Sequence, residues 1–196
     1  SFEDPPIDDV PPDIEAVVED GWGITRFVTV NVTDDASGVA EVLWLAGLHD
    51  TSYFEENGIV LDNDGFTVSD NGIYTIYARD HAGNEAILNI EVTTIDNMPP
   101  SVPQSLTDQW VSDKEAGLSW LASEDDNVLE VYRIYVNGTL YDTLAAGDES
   151  LGALIEYSLE GLSDLTDYEI TVTAVDVAGN ESTHSNLISI STPLGA

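Results

Sequence analysis

Short alternations of apolar and polar residues, each closed by a turn signal, run the length of the chain. In the stretch 27–33, Val28, Val30 and Val32 fall on one face and Thr29, Asn31 and Thr33 on the other. That period of two marks a strand with one buried face. Asp34-Asp-Ala-Ser-Gly38 ends it as a turn cluster, and 39–45, carrying Trp44, reads as the next strand. Residues 46–67 are interrupted by Asn57-Gly58 and Asp64-Gly65 and read as short strands. Further on, 118–122 with Trp120, 132–136, 140–144 and 157–161 repeat the pattern. No stretch has helical periodicity. Strands this short, with turns about every 8 to 12 residues, predict an all-β antiparallel sandwich.

One pattern occurs twice. Asp80-His-Ala-Gly-Asn84 and Asp176-Val-Ala-Gly-Asn180 each follow an alternating run that opens on tyrosine, at Tyr74 and Tyr168, and each precedes another run, 86–92 and 187–190. Strand, Gly-Asn turn, strand is a hairpin signal, and its recurrence at domain spacing predicts two tandem domains. The proline-rich segment Ile95-Asp-Asn-Met-Pro-Pro-Ser-Val-Pro103 separates them and echoes the N-terminal prolines. The predicted domains are 1–97 and 98–196. The inward positions expected are Val28, Val30, Val32, Tyr74, Ile76, Leu88 and Ile90 in the first. In the second they are Leu118, Trp120, Tyr132, Ile134, Ile170, Val172, Ile188 and Ile190.

Residues 99–193 resemble a bacterial fibronectin type III domain. The resemblance is carried by Pro99-Pro-Ser-Val-Pro103, Leu118-x-Trp120, Tyr132-Arg-Ile-Tyr-Val-Asn-Gly138, Leu162-x-x-x-Thr166-x-Tyr168 and Ala174-Val-Asp-Val-Ala-Gly-Asn180. Residues 14–94 resemble the immunoglobulin-like repeats of bacterial secreted and surface proteins, through Asp34-Asp-Ala-Ser-Gly38, Asn71-Gly-Ile-Tyr74 and Asp80-His-Ala-Gly-Asn84. Both resemblances imply Greek-key sandwiches serving as spacers, adhesion modules or accessories of carbohydrate-active enzymes. They also imply an extracellular chain, secreted or at the cell surface, monomeric and flanked by further domains. Fold alone does not settle function. A ligand-binding adhesin or carbohydrate-binding module, with a polysaccharide or cell-surface ligand, stands as the alternative to a spacer.

Charge narrows the partners. Four Lys and Arg face 38 Asp and Glu, a formal charge of −34, which disfavours nucleic acid and anionic lipid. No apolar run approaches the roughly 20 residues that span a bilayer, so no membrane insertion is expected. Cysteine is absent. His49, His81 and His184 are scattered, and neither a zinc-helix motif nor a nucleophile elbow occurs, so no catalysis is expected. Tyr74 and Tyr168 occupy the place of a tyrosine corner. Trp44 and Trp120 lie within strand patterns and read as core anchors. Trp22 and Trp110 sit in no clean alternation and are candidates for surface aromatics.

The acids in turns are the candidate site. In this topology the B–C and F–G loops meet at one pole, which the incoming strand also reaches. Asp125, Asp126 and Asn127 should then lie near Asp176, Asn180 and the linker residues Asp96 and Asn97. In the first domain Asp34 and Asp35 converge likewise with Asp80, Asn84, Asp8 and Asp9. Calcium takes six to eight hard oxygens from irregular loops, so Asp96, Asn97, Asp125, Asp126, Asn127 and Asp176 are the expected ligands of a junction site. The alternative is that Asp and Asn in turns bond their own backbone. Thermal melts in sodium chloride and calcium chloride at matched ionic strength separate the two origins of the charge. General screening gives equal curves that rise into the molar range. Bound calcium gives an extra rise at millimolar concentration that sodium does not reproduce.

Overall fold

The computed structural model describes residues 8–147 and 150–195. Packing divides the chain into two units, Ser1–Ile95 and Asp96–Ala196. In the first, the strands are β1 (Asp13–Val18), β2 (Arg26–Thr33), β3 (Val39–Ala46), β4 (Ile59–Val60), β5 (Gly65–Val68), β6 (Gly72–Asp80) and β7 (Glu85–Val92). They form two sheets of order β1-β2-β5 and β4-β3-β6-β7. In the second, β8 (Gln104–Val111), β9 (Ala116–Leu121), β10 (Leu129–Val136), β11 (Thr139–Ala145), β12 (Leu154–Leu159), β13 (Asp167–Asp176) and β14 (Ile188–Ser191) form β12-β9-β8 and β11-β10-β13-β14. Strand for strand, the two units have the same topology, and the strand pairings are antiparallel.

The inward rows explain the sequence pattern. Val28 and Val30 from β2, Phe66 and Val68 from β5, and Tyr74 and Ile76 from β6 fill the first core. Val32, Trp44 and Ile90 pack against it half-buried, and the Trp44 indole stacks on Phe66 at 4.1 Å. The second core gathers Leu118, Trp120, Tyr132, Ile134, Ile170, Val172 and Ile190, with Ile188 at its margin. Trp120 has no exposed surface and meets Tyr132 edge-on. Both tyrosine corners form. The Tyr74 hydroxyl donates to the Asp70 carbonyl at 2.6 Å, and the Tyr168 hydroxyl accepts from the Ser163 amide at 2.8 Å.

The segment 46–67 departs from the expected run of short strands. A 3-10 turn, Thr51–Glu55, occupies its middle, started by the Asp50 carboxylate, which accepts from the Tyr53 amide. This turn drops Phe54 onto Tyr77, with Leu43 beside them, and covers the outer face of β3 and β6. The local cap and one aromatic contact win over the alternating pattern, leaving β4 only two residues long.

Each strand that opens the Asp-x-Ala-Gly-Asn hairpin ends its inward row in a carboxylate. In β6 the row is Tyr74, Ile76, Ala78 and Asp80; in β13 it is Ile170, Val172, Ala174 and Asp176. Asp80 and Asp176 are therefore buried by the same alternation that buries the core. The partner strand carries a register shift beside each of them, between Val39 and Glu41 and between Leu129 and Val131. Such bulges re-aim side chains at the rim of a sheet. Tyr74→Phe removes a hydroxyl bond from a buried ring, and it should cost about 1 kcal/mol in denaturant titrations of the whole chain.

Candidate functional site

The hairpin fixes each buried aspartate by the same bonds. Asp176 accepts from the Asn180 amide at 2.8 Å and from Asn180 Nδ2 at 2.8 Å. Asp80 does the same with Asn84, at 2.8 and 2.7 Å. The asparagine side chain also reaches the incoming segment. Asn180 Nδ2 donates to the Asp96 carbonyl at 3.0 Å, and Asn84 Nδ2 to the Asp8 carbonyl at 3.2 Å. A residue type chosen for a turn thus ties the segment that enters its unit to the last hairpin of that unit.

These bonds bring carboxylates together. Oxygens of Asp96, Asp125 and Asp176 lie within 4.8 Å of one another, and so do oxygens of Asp8, Asp34 and Asp80. Half of the ligand set expected from sequence is assembled in this way, wholly from the second unit. Asn127 stands beside it, with Nδ2 3.5 Å from Asp96 Oδ2. Asp126 is exposed and outside the group, and Asn97 is exposed. In the first unit Asp35 is exposed and outside the triad.

The two triads differ in how their charge is met. Asp34 accepts from the amides of Ala36 and Gly38, at 3.3 and 2.5 Å. Asp8 accepts from the amides of Val10 and Ser37, and hydrogen bonds, the Ser37 side chain first, hold its carboxyl below the usual range. Burial pushes Asp80 up, but the bonds from Asn84 and the following amides outweigh it, leaving it lowered. Asp125 occupies the place of Asp34 and accepts from one amide, Asn127, at 3.3 Å. Burial first, then the charges of Asp176, Asp96 and Asp126, push its carboxyl up. At an effective dielectric near 20, two charges this close repel by roughly 3 to 4 kcal/mol before solvent screening. One long amide bond does not offset that. The site can shed the repulsion by taking up a proton or by holding a cation.

Away from the triads, Glu181, His49 and His184 are held by neighbouring side chains. Glu181 sits among Thr173, Tyr135 and Arg133, and their bonds outweigh burial and lower its carboxyl. His49 stacks on Tyr53, and His184 shares a hydrogen bond with Thr171 and meets Tyr135 edge-on. Among the described residues no helix is long and apolar enough to cross a membrane. Trp22 and Trp110 are exposed, at 43% and 47%. What sequence reasoning missed is Gly117, whose bare backbone lies under the Trp110 indole.

No family model matches the chain. Over 197 residues, 96% of this chain, it is 28% identical to chitinase A1 of Niallia circulans, of which it covers 27%. It is 30% identical over 169 residues to exoglucanase B of Cellulomonas fimi, covering 82% of this chain and 15% of that enzyme. A third relative, chitinase Chi52 of Paenibacillus xylanexedens, is 37% identical over 106 residues, covering 54% of this chain and 19% of the enzyme. The chain thus spans about a quarter or less of each of these relatives. Among solved structures, titin domains A168–A170 match 94% of the chain and 67% of theirs, with a TM-score of 0.54 and 20% identity. The fibronectin(III)-like modules of Clostridium thermocellum CbhA match 93% of the chain and 94% of theirs, at 0.50 and 12%. The chain has the fold of fibronectin type III and immunoglobulin-like modules.

Asp125→Asn tests the electrostatics of the second triad. An acid whose folded pKa is raised binds its proton more tightly when folded, so stability falls as pH rises through that pKa. In chelator at neutral pH the variant should therefore be more stable than wild type, on the order of 1 kcal/mol after solvent screening. The difference should vanish near pH 3, where both are uncharged at this position.

Proposed function

We propose that the chain is an extracellular pair of non-catalytic modules within a larger polysaccharide-degrading protein, where it spaces and orients the parts that act on polymer. The observation that carries this reading is the alignment of 96% of the chain with about a quarter of a chitinase. Two sandwiches of one topology, with their functional groups at the poles and without a convergent nucleophile and base among the described residues, suit that work. The relatives favour an accessory module of a secreted enzyme over a cell-surface adhesin.

A second reading concerns the poles. We propose that calcium joins Asp96, Asp125 and Asp176, with Asn127 beside them, and that Asp8, Asp34 and Asp80 form a weaker counterpart. The under-compensated Asp125 carboxyl supports it. Extracellular calcium sites commonly have dissociation constants of about 0.1 to 1 mM. At a Kd of about 0.1 mM and about 2 mM calcium, binding adds roughly 1.8 kcal/mol. That is too little to fold a unit. It is enough to hold the incoming segment, with Asp96, against its pole.

Fusion of the chain to a glycoside hydrolase catalytic domain tests the first reading. The rate on soluble substrate should stay unchanged and the rate on insoluble polymer should change, and the chain alone should release no reducing sugar. Reducing sugar released by the chain alone would overturn it. For the second reading, millimolar calcium should raise the melting temperature of wild type above a sodium control of equal ionic strength, and Asp125→Asn should remove most of that rise.

A further inference from the structure

The outer face of β9 carries a bare backbone at Gly117, and the Trp110 indole of β8 lies over it. A Cβ added at Gly117 would stand 2.2 Å from Trp110 Nε1, 2.6 Å from Cε2 and 2.8 Å from Cδ1. A point in the ring plane beyond Nε1 would be much farther from the two carbons than from the nitrogen. Their near-equal distances put the Cβ over the face of the pyrrole ring, so the indole lies flat on the sheet. Its opposite face is left to solvent, consistent with the 47% exposure of the residue. An aromatic ring parallel to a sheet surface is a platform, and only glycine beneath it permits the approach.

Polar groups flank the platform. Gln109, Glu156 and Ser158 line the same recess, of about 340 Å³, and Gln109 Nε2 donates to Ser119 Oγ at 2.9 Å. Tyr157 and Ser158 also line a second recess, which holds Tyr141 and the acids Asp142 and Glu160. Tyr141 is 47% exposed, and its hydroxyl is held by the Glu160 carbonyl at 2.6 Å. Trp110 and Tyr141 thus stand in two recesses that meet at Tyr157 and Ser158, within one unit.

We propose that this flank of the second unit is a saccharide subsite for a β-1,4-linked pyranose chain, with Trp110 as the stacking platform. The inference deepens the accessory-module reading and rests on it. A β-linked pyranose with equatorial hydroxyls presents faces of axial C–H groups, which pack on an indole, and rim hydroxyls, which donate to carboxylates and accept from amides. An open sheet face suits an extended chain rather than a helical one. The acidic rim and the net charge of −34 disfavour uronic-acid polymers and accept neutral ones.

Affinity electrophoresis of the full chain in native gels tests this, with hydroxyethyl cellulose in one arm, glycol chitin in another and polygalacturonate as the anionic control. Wild type should be retarded at least about twofold in one or both neutral gels, and not in the control. Retardation in one gel only names the polymer. Trp110→Ala should abolish it, Trp110→Tyr should keep part, and Trp22→Ala should leave it intact. Gly117→Ala retains the tryptophan but lifts the ring from the sheet, so it should also lose binding. Circular dichroism of each variant checks its fold. Unchanged wild-type mobility in both neutral gels overturns the subsite and leaves the accessory-module reading standing, since the fusion experiment tests that separately. Equal retardation of folded Trp110→Ala overturns it as well.

Discussion

Each sandwich depends on one buried carboxylate held by the asparagine of its own hairpin. Asp80 and Asp176 end rows of core residues, where an unpaired charge would cost several kcal/mol. Asn84 and Asn180 answer that charge with backbone and side-chain donors, while their amide groups hold the segment that enters the unit. The hairpin, the pole and the incoming chain are thereby coupled. Removing either asparagine would leave the aspartate under-bonded and untie the incoming segment at once.

Much of this was written in the sequence because it rests on period and spacing. The alternation 28, 30, 32 and the repeated Asp-x-Ala-Gly-Asn motif report strand faces and hairpins directly. Convergence of 96, 125 and 176 follows once the topology is granted, since three loops share one pole. The segment 46–67 was not legible, because Asp50 capping a single turn and Phe54 finding Tyr77 are events of contact, not of pattern. The role of Gly117 was hidden for the same reason. A glycine within a strand becomes informative only when the ring above it is known.

The two triads show how little separates a settled cluster from an unsettled one. Their layouts agree bond for bond at the asparagine, yet Asp34 accepts two amides where Asp125 accepts one. The difference comes from the turn after β2, in which Gly38 brings its amide to 2.5 Å of the carboxylate. The corresponding turn after β9 offers no such donor to Asp125. Similar modules can therefore diverge in how the charge at a pole is met, through one loop, while keeping the sandwich unchanged.

The irregular edge of β8 has a bearing on how such chains are made. This strand borders its sheet, and its pairing with β9 shifts twice, after Gln104 and after Asp108. A straight edge would offer an unbroken ladder to any neighbouring strand of like sequence. During synthesis, modules of one topology emerge tethered to one another, and exchange of strands between them is a characteristic misassembly. The bends bound to those shifts break up the free edge, and the Asn186 side chain, accepting from the Leu106 amide and donating to its carbonyl, caps part of it, so little register is left for a trespassing strand. The same kinks that unsettle β8 thus help each module to finish folding with its own strands.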